Sequence, residues 1–336
     1  MTNIKHITLS VMIAAAIAGC NSQSEKKVTN NDSTDAPAPV AAAPSATDVT
    51  GSYVADGYQQ RNDGYDWVGV TVKQWKDNQI ILSVRSRADK KKPTCTADLK
   101  ATLKEGNIYM SVAEGKNIMI SFTADALTIA PENKADEGAL AFFCSGGATV
   151  AGTYKKISEP LDAAQVDKTA FSKVLRLQDI GFTVSSIKKG DQMELSVYLF
   201  GPSVKDSKTH TQLFYGYVND AEVEDLNADG SPELVIYTES EGTGRFGNVI
   251  AYSADKSGKL TKIEFPDTQK NTAISKGYRG KDEFSLVERN LSQKFPVYND
   301  SDPESQASGG TRQVNYKMVK AGSGYRFEVA TTNDFK

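Results

Sequence analysis

At 336 residues the chain is long enough for two ordinary domains, each with its own core. Its 39 Lys and Arg nearly balance 42 Asp and Glu, and a net charge of −3 excludes the basic footprint of a nucleic-acid-binding protein. Charges of both signs alternate along the chain instead of clustering, the pattern of a solvated surface.

The N-terminus carries Lys5, an apolar run from Ile7 to Ile17, and small residues Ala18 and Gly19 ahead of Cys20. The run is too short to span a bilayer as a mature helix, so residues 1–20 are expected to be a signal peptide with a lipobox. The segment resembles those of bacterial lipoproteins, which implies that Cys20 becomes the acylated mature N-terminus and anchors the protein by its lipid. Asn21 stands where an aspartate commonly retains such proteins at the inner membrane, so the expected location is the outer membrane, facing the periplasm. Residues 21–50 are rich in Asn, Ser, Thr, Ala and Pro with almost no large apolar side chain, the composition of a disordered tether. Apart from Cys20 the only cysteines are Cys95 and Cys144. Export to an oxidising compartment predicts a disulfide between them, with two buried free thiols as the alternative.

Residues 51–157 contain short alternating or apolar runs, among them WVGVTVKQW, QIILSVRSR, NIYMSV and NIMISF, separated by turn signals such as KDN, KEG and EGK. This spacing predicts a small antiparallel barrel or sandwich. The segment opens on Gly51-Ser52-Tyr53 and ends near Gly152-Thr153-Tyr154, which suggests that first and last strands pair to close a barrel. Tyr53, Tyr58, Tyr65 and Trp67 read as core in preference to a ligand mouth. Lys90 to Lys92 read as a solvated hairpin tip.

Residues 160–336 begin with a short linking helix expected from Leu161 to Asp167, then return to strands: QMELSVYLF, QLFYGYV, PELVIYT, NVIAYS and QVNYKMVK, among others. An antiparallel β-sandwich-like domain is expected, making the whole chain all-β. Beyond His6 in the leader, His210 is the only histidine, and GxSxG, HExxH and CxxC are missing. No catalytic residue, metal ligand set or cofactor is therefore assigned. Asp225, Asn227, Asp229 and Gly230 imitate the first half of a calcium loop, but Ile236 occupies the position of its closing glutamate. Glu233 can close a shorter site, and an Asp-Gly turn between strands explains the same residues without metal.

Between the strand-like runs Leu234–Tyr237 and Val249–Tyr252 lies EGTGRFG, residues 241–247, a glycine-dense loop held out from a sheet. Gly242, Gly244 and Gly247 spell GxGxxG, yet NVIAY and the turn DKSG follow, with no room for the helix that a dinucleotide site requires. Glu239 and Glu241 offer a carboxylate pair, the basis of an alternative reading as a calcium-dependent glycan hydrolase.

The strings AEVEDLNADGSPELVIY, GTGRFG, GYRGKDEFSLVE, QKFPVY and GGTRQVNYKMV occur in that order, and the second domain, from about Phe171 to Val329, resembles the periplasmic inhibitors of i-type (invertebrate) lysozyme through them. In that family a loop read as SGSYG enters the enzyme's active-site cleft. The resemblance implies that Thr243, Gly244, Arg245 and Phe246 form the lysozyme-binding loop, with Thr243 and Phe246 at the principal contact positions. The family's GHDEF is GKDEF here, Gly280 to Phe284. A retaining lysozyme cleft holds a protonated acid and an ionised carboxylate, so the expected contacts are a hydrogen bond from Thr243, an ion pair from Arg245 and Phe246 in a sugar subsite. The expected partner is thus an i-type lysozyme, and the expected role is protection of peptidoglycan. The main rival is a non-inhibitory module that binds peptidoglycan fragments or another envelope protein.

Overall fold

The computed structural model describes residues 48–89, 94–205 and 207–336. Cys20, the tether up to residue 47 and Lys90 to Lys92 lie outside the described residues.

The first domain holds strands β1 (Gly51–Val54), β2 (Val68–Lys76), β3 (Gln79–Ser86), β4 (Thr94–Cys95), β5 (Ala97–Glu105), β6 (Ile108–Ala113), β7 (Lys116–Phe122), β8 (Ala126–Pro131), β9 (Cys144–Ser145) and β10 (Gly152–Ile157). Eight of them close an antiparallel barrel in the order β1-β10-β8-β7-β6-β5-β3-β2. The period-2 alternation of strands turns Ile80, Leu82 and Val84 of β3, Ile118 and Ile120 of β7, and Leu127 and Ile129 of β8 into one interior core. As the paired termini suggested, β1 and β10 complete the ring, with Tyr53 opposite Lys156. Tyr53, Tyr58 and Trp67 are buried, whereas Tyr65 departs from the expected core and is 54% exposed. The short pair β4 and β9 places Cys95 directly opposite Cys144, and a disulfide joins them.

Leu161 to Asp167 do not form the expected helix. Leu161 packs against Gly69, where a Cβ would meet its Cδ2 at 2.6 Å, and the Asp162 backbone amide donates to the Tyr58 hydroxyl at 2.8 Å. The Asp162 carboxylate then accepts from the Ala164 N–H, turning the chain before Val166 bridges to Arg87. Side-chain packing on the barrel and an Asx turn override a weak helical preference.

The second domain contains a four-stranded antiparallel sheet of β11 (Thr169–Leu177), β12 (Ile180–Lys189), β13 (Gln192–Phe200) and β14 (Thr209–Phe214). A larger sheet follows, built from β15 (Tyr217–Glu224), β16 (Glu233–Glu239), β17 (Gly247–Ala254), β18 (Leu260–Glu264), β19 (Glu283–Val287), β20 (Asn290–Pro296), β21 (Thr311–Ala321) and β22 (Gly324–Phe335). Its order is β15-β16-β17-β18-β22-β21-β20-β19; the β18–β22 pair is parallel and its other pairings are antiparallel, so the sheet is mixed but mostly antiparallel. It curls until its ends almost meet: the Glu222 carboxylate on β15 accepts from the Leu286 N–H on β19 at 2.9 Å and from the Tyr237 hydroxyl. All seven residues of β16 are buried, because Leu234 and Ile236 face the four-stranded sheet while Val235 and Tyr237 face the inside of the curl. Burial on both faces is why this strand reads as an unbroken apolar run.

Barrel and second domain belong to one compact unit, Ala46–Lys336. Arg85 and Asp98 form the joint. The Arg85 guanidinium donates to Asp98 at 2.7 Å and to the Thr169 carbonyl at 2.8 Å, and Asp98 accepts from the Ser172 N–H at 2.8 Å. Lys100 of the barrel and Lys173 of β11 both donate to Asp220 at 2.7 Å. Closing the loop between Cys95 and Cys144, 49 residues apart, restricts the unfolded chain by about 4 kcal/mol. Replacing both cysteines by alanine is expected to remove most of that in denaturant titrations, in a single cooperative transition; a loss under about 1 kcal/mol, or two separated transitions, contradicts this account.

Candidate protein-binding loop and its support

The register of β16 on β17 ends with Glu239 opposite Gly247, which leaves residues 240–246 as the loop. Its neck is closed by two hydrogen bonds, from the Ser240 N–H to the Phe246 carbonyl and from the Phe246 N–H to the Ser240 Oγ, both 2.9 Å. Two carboxylates secure it from below.

The first is Glu239, whose side chain is 4% exposed. It accepts from Arg245 through both Nε and Nη2, from the Tyr217 hydroxyl at 2.6 Å and from Asn219 Nδ2 at 2.8 Å. Burial by itself pushes this carboxyl up, but the hydrogen bonds from Arg245, Tyr217 and Asn219 outweigh burial and hold it below the usual carboxylate range. The second is the partly buried Asp282. It accepts from the Gly247 N–H at 2.7 Å, the Tyr278 hydroxyl at 2.6 Å and Gln293 Nε2 at 2.6 Å. Here burial wins over those donors and pushes the carboxyl up to about 6.

Two glycines are required by close approach. A Cβ on Gly247 would sit 2.6 Å from the Asp282 Cβ, and one on Gly280 would sit 2.0 Å from the Gly244 carbonyl oxygen. Gly280, at φ 85°, lets the Lys281 N–H reach the carbonyls of Gly244 at 3.1 Å and Arg245 at 3.0 Å. The GKDEF segment is therefore the floor of the loop, joined to it through main-chain atoms.

The four predicted loop residues are together but not alike. Thr243 and Arg245 are exposed, while Gly244 and Phe246 are half-buried. Arg245 does not extend as the free cation expected from sequence: it adopts φ 46° and turns back onto Glu239. Phe246 folds over Gly244, with 2.5 Å between its Cε2 and a Cβ placed there, and meets Tyr278 edge-on at a centroid distance of 5.8 Å. A hollow of about 470 Å³ opens beside the ring, lined by Thr243, Gly244, Phe246, Tyr278, Arg279 and Lys281. Arg279 and Lys281 both lie over the Tyr298 ring, at 4.8 and 5.5 Å, and put two cations on a lining that also holds Glu304. Tyr217, Asn219 and Asp282 were not predicted as site residues, and Glu239 was named only as half of a hydrolase carboxylate pair. The available signal was a glutamate ending a doubly buried strand, with an arginine six residues on across a tight loop.

Glu239 and Glu241 do not behave as a matched carboxylate pair, since Glu239 is consumed by four donors and Glu241 is exposed. In the calcium-like segment, Asp225 accepts from the N–H groups of Asp229 at 3.0 Å and Gly230 at 3.1 Å, and Asp229 from that of Ser231 at 2.8 Å. Glu233 is fully buried and accepts from the Leu226 N–H at 2.7 Å. Among the described residues no group of three or more His, Cys, Asp or Glu is placed to hold a metal ion.

Comparison with protein-family models finds no match, and comparison with curated proteins finds none either. Among solved structures, a Bombyx mori GH32 beta-fructofuranosidase aligns at 10% identity and a TM-score of 0.28, covering 81% of this chain and 60% of that enzyme. A mutant of the same enzyme in complex with sucrose aligns at 9% identity and the same TM-score, covering 78% of this chain and 60% of the other. The chain thus spans less than two thirds of those proteins, and a likeness this distant assigns neither a family nor a function.

Burial pushes the Glu233 carboxyl up to about 7 from its ordinary 4.5. A carboxyl raised in the folded state favours folding fully below about 4.5 and loses that contribution as pH rises through about 7. Thermal melts are expected to show the parent losing stability relative to Glu233→Gln across this window, and a difference independent of pH contradicts the assignment.

Proposed function

We propose that the protein is a non-catalytic inhibitor of i-type lysozyme, that residues 241–247 are the segment it inserts into the enzyme's cleft, and that it protects peptidoglycan as a lipoprotein anchored to the outer membrane through Cys20. The observation that carries this reading is the loop's construction. An exposed Thr243 and a half-buried Phe246 stand on a hairpin fixed by Glu239 below and by the GKDEF floor beside it. A loop already ordered in the free protein loses little conformational entropy when it enters a cleft, which is how a small plug can bind tightly. The resemblance of residues 171–329 to the family supports the choice of partner, and the five recurring strings include both the loop and its floor.

The contact roles differ from those read from the sequence. Thr243 keeps its hydroxyl at the exposed tip, free to donate to a cleft carboxylate. Arg245 works mainly from inside: it holds the hairpin through Glu239, and its Nη1 is the donor Glu239 does not use. Phe246 presents a ring edge braced by Tyr278. The cations Arg279 and Lys281 beside the loop suit the acidic neighbourhood of a lysozyme cleft.

The test is inhibition of i-, c- and g-type lysozymes by the purified protein, with two variants. Thr243→Ala is expected to weaken inhibition of the i-type enzyme by about 1 kcal/mol with an unchanged melting temperature. Arg245→Ala is expected to weaken it more and also to destabilise the fold by about 1–3 kcal/mol, because Glu239 stays buried without its cation. Absence of inhibition of any lysozyme removes the proposal, and full inhibition by both variants removes the loop from it.

A further inference from the structure

The outer wall of a barrel is ordinarily polar, and here it also carries a set of large apolar side chains among Lys73, Ser83, Lys100 and Thr102. Trp75 on β2, Ile81 on β3, and Met110 and Val112 on β6 point away from the barrel core and belong to neither core of the second domain. Val112 is 64% exposed. These side chains line a cleft of about 1000 Å³ between the barrel wall and strands β11 and β15, with Tyr217 on the opposite side. That is the upper end of the volumes that hold small ligands, in a setting between two packed domains where such sites concentrate. Both walls are strands, so the cleft is preformed.

Most of the charges lining it are spent on one another; Lys73 and Glu222 also line it outside these ion pairs, one of each sign. Asp98 is held by Arg85, Asp220 by Lys100 and Lys173, and Glu114 faces Arg176 at 3.7 Å. An ionic ligand would have to break these pairs, at a high cost for Arg85 and Asp98, which are only 6% and 10% exposed. A neutral ligand that is rich in hydroxyls can add hydrogen bonds to the pairs without breaking them, and its apolar ring faces can lie on Trp75, Met110 and Val112. Lys100 Nζ lies 4.8 Å from the centre of the Trp75 ring, a cation–π contact on one face that fixes the orientation of the indole.

We infer that this cleft is a binding site for a short neutral oligosaccharide, distinct from the loop. Apolar side chains and paired polar groups line the same cleft, so linked sugar rings would find partners for both their apolar faces and their hydroxyls. The inference does not rest on lysozyme inhibition. Tyr217 and Asn219 line the cleft and also donate to Glu239, so the two sites share a wall.

The experiment is a titration of the full chain, in detergent, with a short linear oligomer of N-acetylglucosamine, a glucose oligomer of equal length and a uronic acid oligomer, followed by calorimetry and intrinsic fluorescence. Trp67 and Trp75 are the only tryptophans, and Trp67 is buried, so a fluorescence change reports on Trp75. Saturable binding of either neutral oligomer is expected, with the preference between them naming the source as an acetamido or a plain glycan. Trp75→Ala is expected to weaken it about tenfold or more with an unchanged melting temperature, and Val112→Arg, which fills the cleft, is expected to do the same. Lysozyme inhibition by these two variants should equal that of the parent, so failure here is separable from failure of the loop. Binding of the uronic acid oligomer alone, no binding of any oligomer, or binding untouched by both substitutions overturns the inference.

Discussion

The buried carboxylate of Glu239 is the constraint on which the exposed loop depends. An ionised group at that depth must be surrounded by donors, and the strand register leaves it no freedom to move, since it ends β16 opposite Gly247. The side chains that satisfy it are therefore fixed in turn: Arg245 from the loop, Tyr217 and Asn219 from the neighbouring strand. Arg245 accepts a left-handed backbone conformation to reach it, and that conformation sets the direction in which Thr243 and Phe246 leave the hairpin. Asp282 does the same from the other side through the Gly247 N–H, in a network that continues through Gln293 to the Tyr316 hydroxyl. The loop is rich in glycine, but its shape comes from charge and hydrogen bonding beneath it.

Much of the architecture was legible in the sequence because it follows from local periodicity. The barrel strands alternate, the doubly buried β16 reads as a continuous apolar run, and the glycine cluster marks an exposed hairpin. The cysteine pair also followed from its count once Cys20 was set aside. What the sequence concealed is what depends on pairs distant in the chain. The parallel contact between β18 and β22 and the near closure of the large sheet through Glu222 leave no local pattern. Leu161 to Asp167 have a helical composition, but Leu161 has a glycine-shaped seat on the barrel and takes it. At the loop, residue type indicated which side chains were present but not whether they were spent. Arg245 read as a cation offered to a partner, whereas it is the internal partner of Glu239, which read as half of a carboxylate pair.

Mechanically, the barrel and the second domain support one another. Arg85 and Asp98 join β3 and β5 of the barrel to the start of β11, and Asp220 draws lysines from both sides into β15, the strand next to the loop hairpin. The joint is polar, so it fixes the orientation of the walls without filling the space between them. A cleft of ligand size and a rigid loop are consequences of the same packing: strands β15 and β16 carry Tyr217, Asn219 and Glu239 between the two.

The most direct test of the central claim, that a pre-ordered loop is the surface offered to lysozyme, is amide hydrogen exchange of the intact protein with and without a saturating i-type lysozyme. In the free protein the Gly247 and Lys281 amides should already exchange slowly, because both are hydrogen-bonded in the unbound fold. On binding, added protection should appear at residues 241–247 and 280–282 while the barrel stays unchanged. Rapid exchange at Gly247 and Lys281 before binding, or protection that falls on another surface and spares the loop, would contradict it.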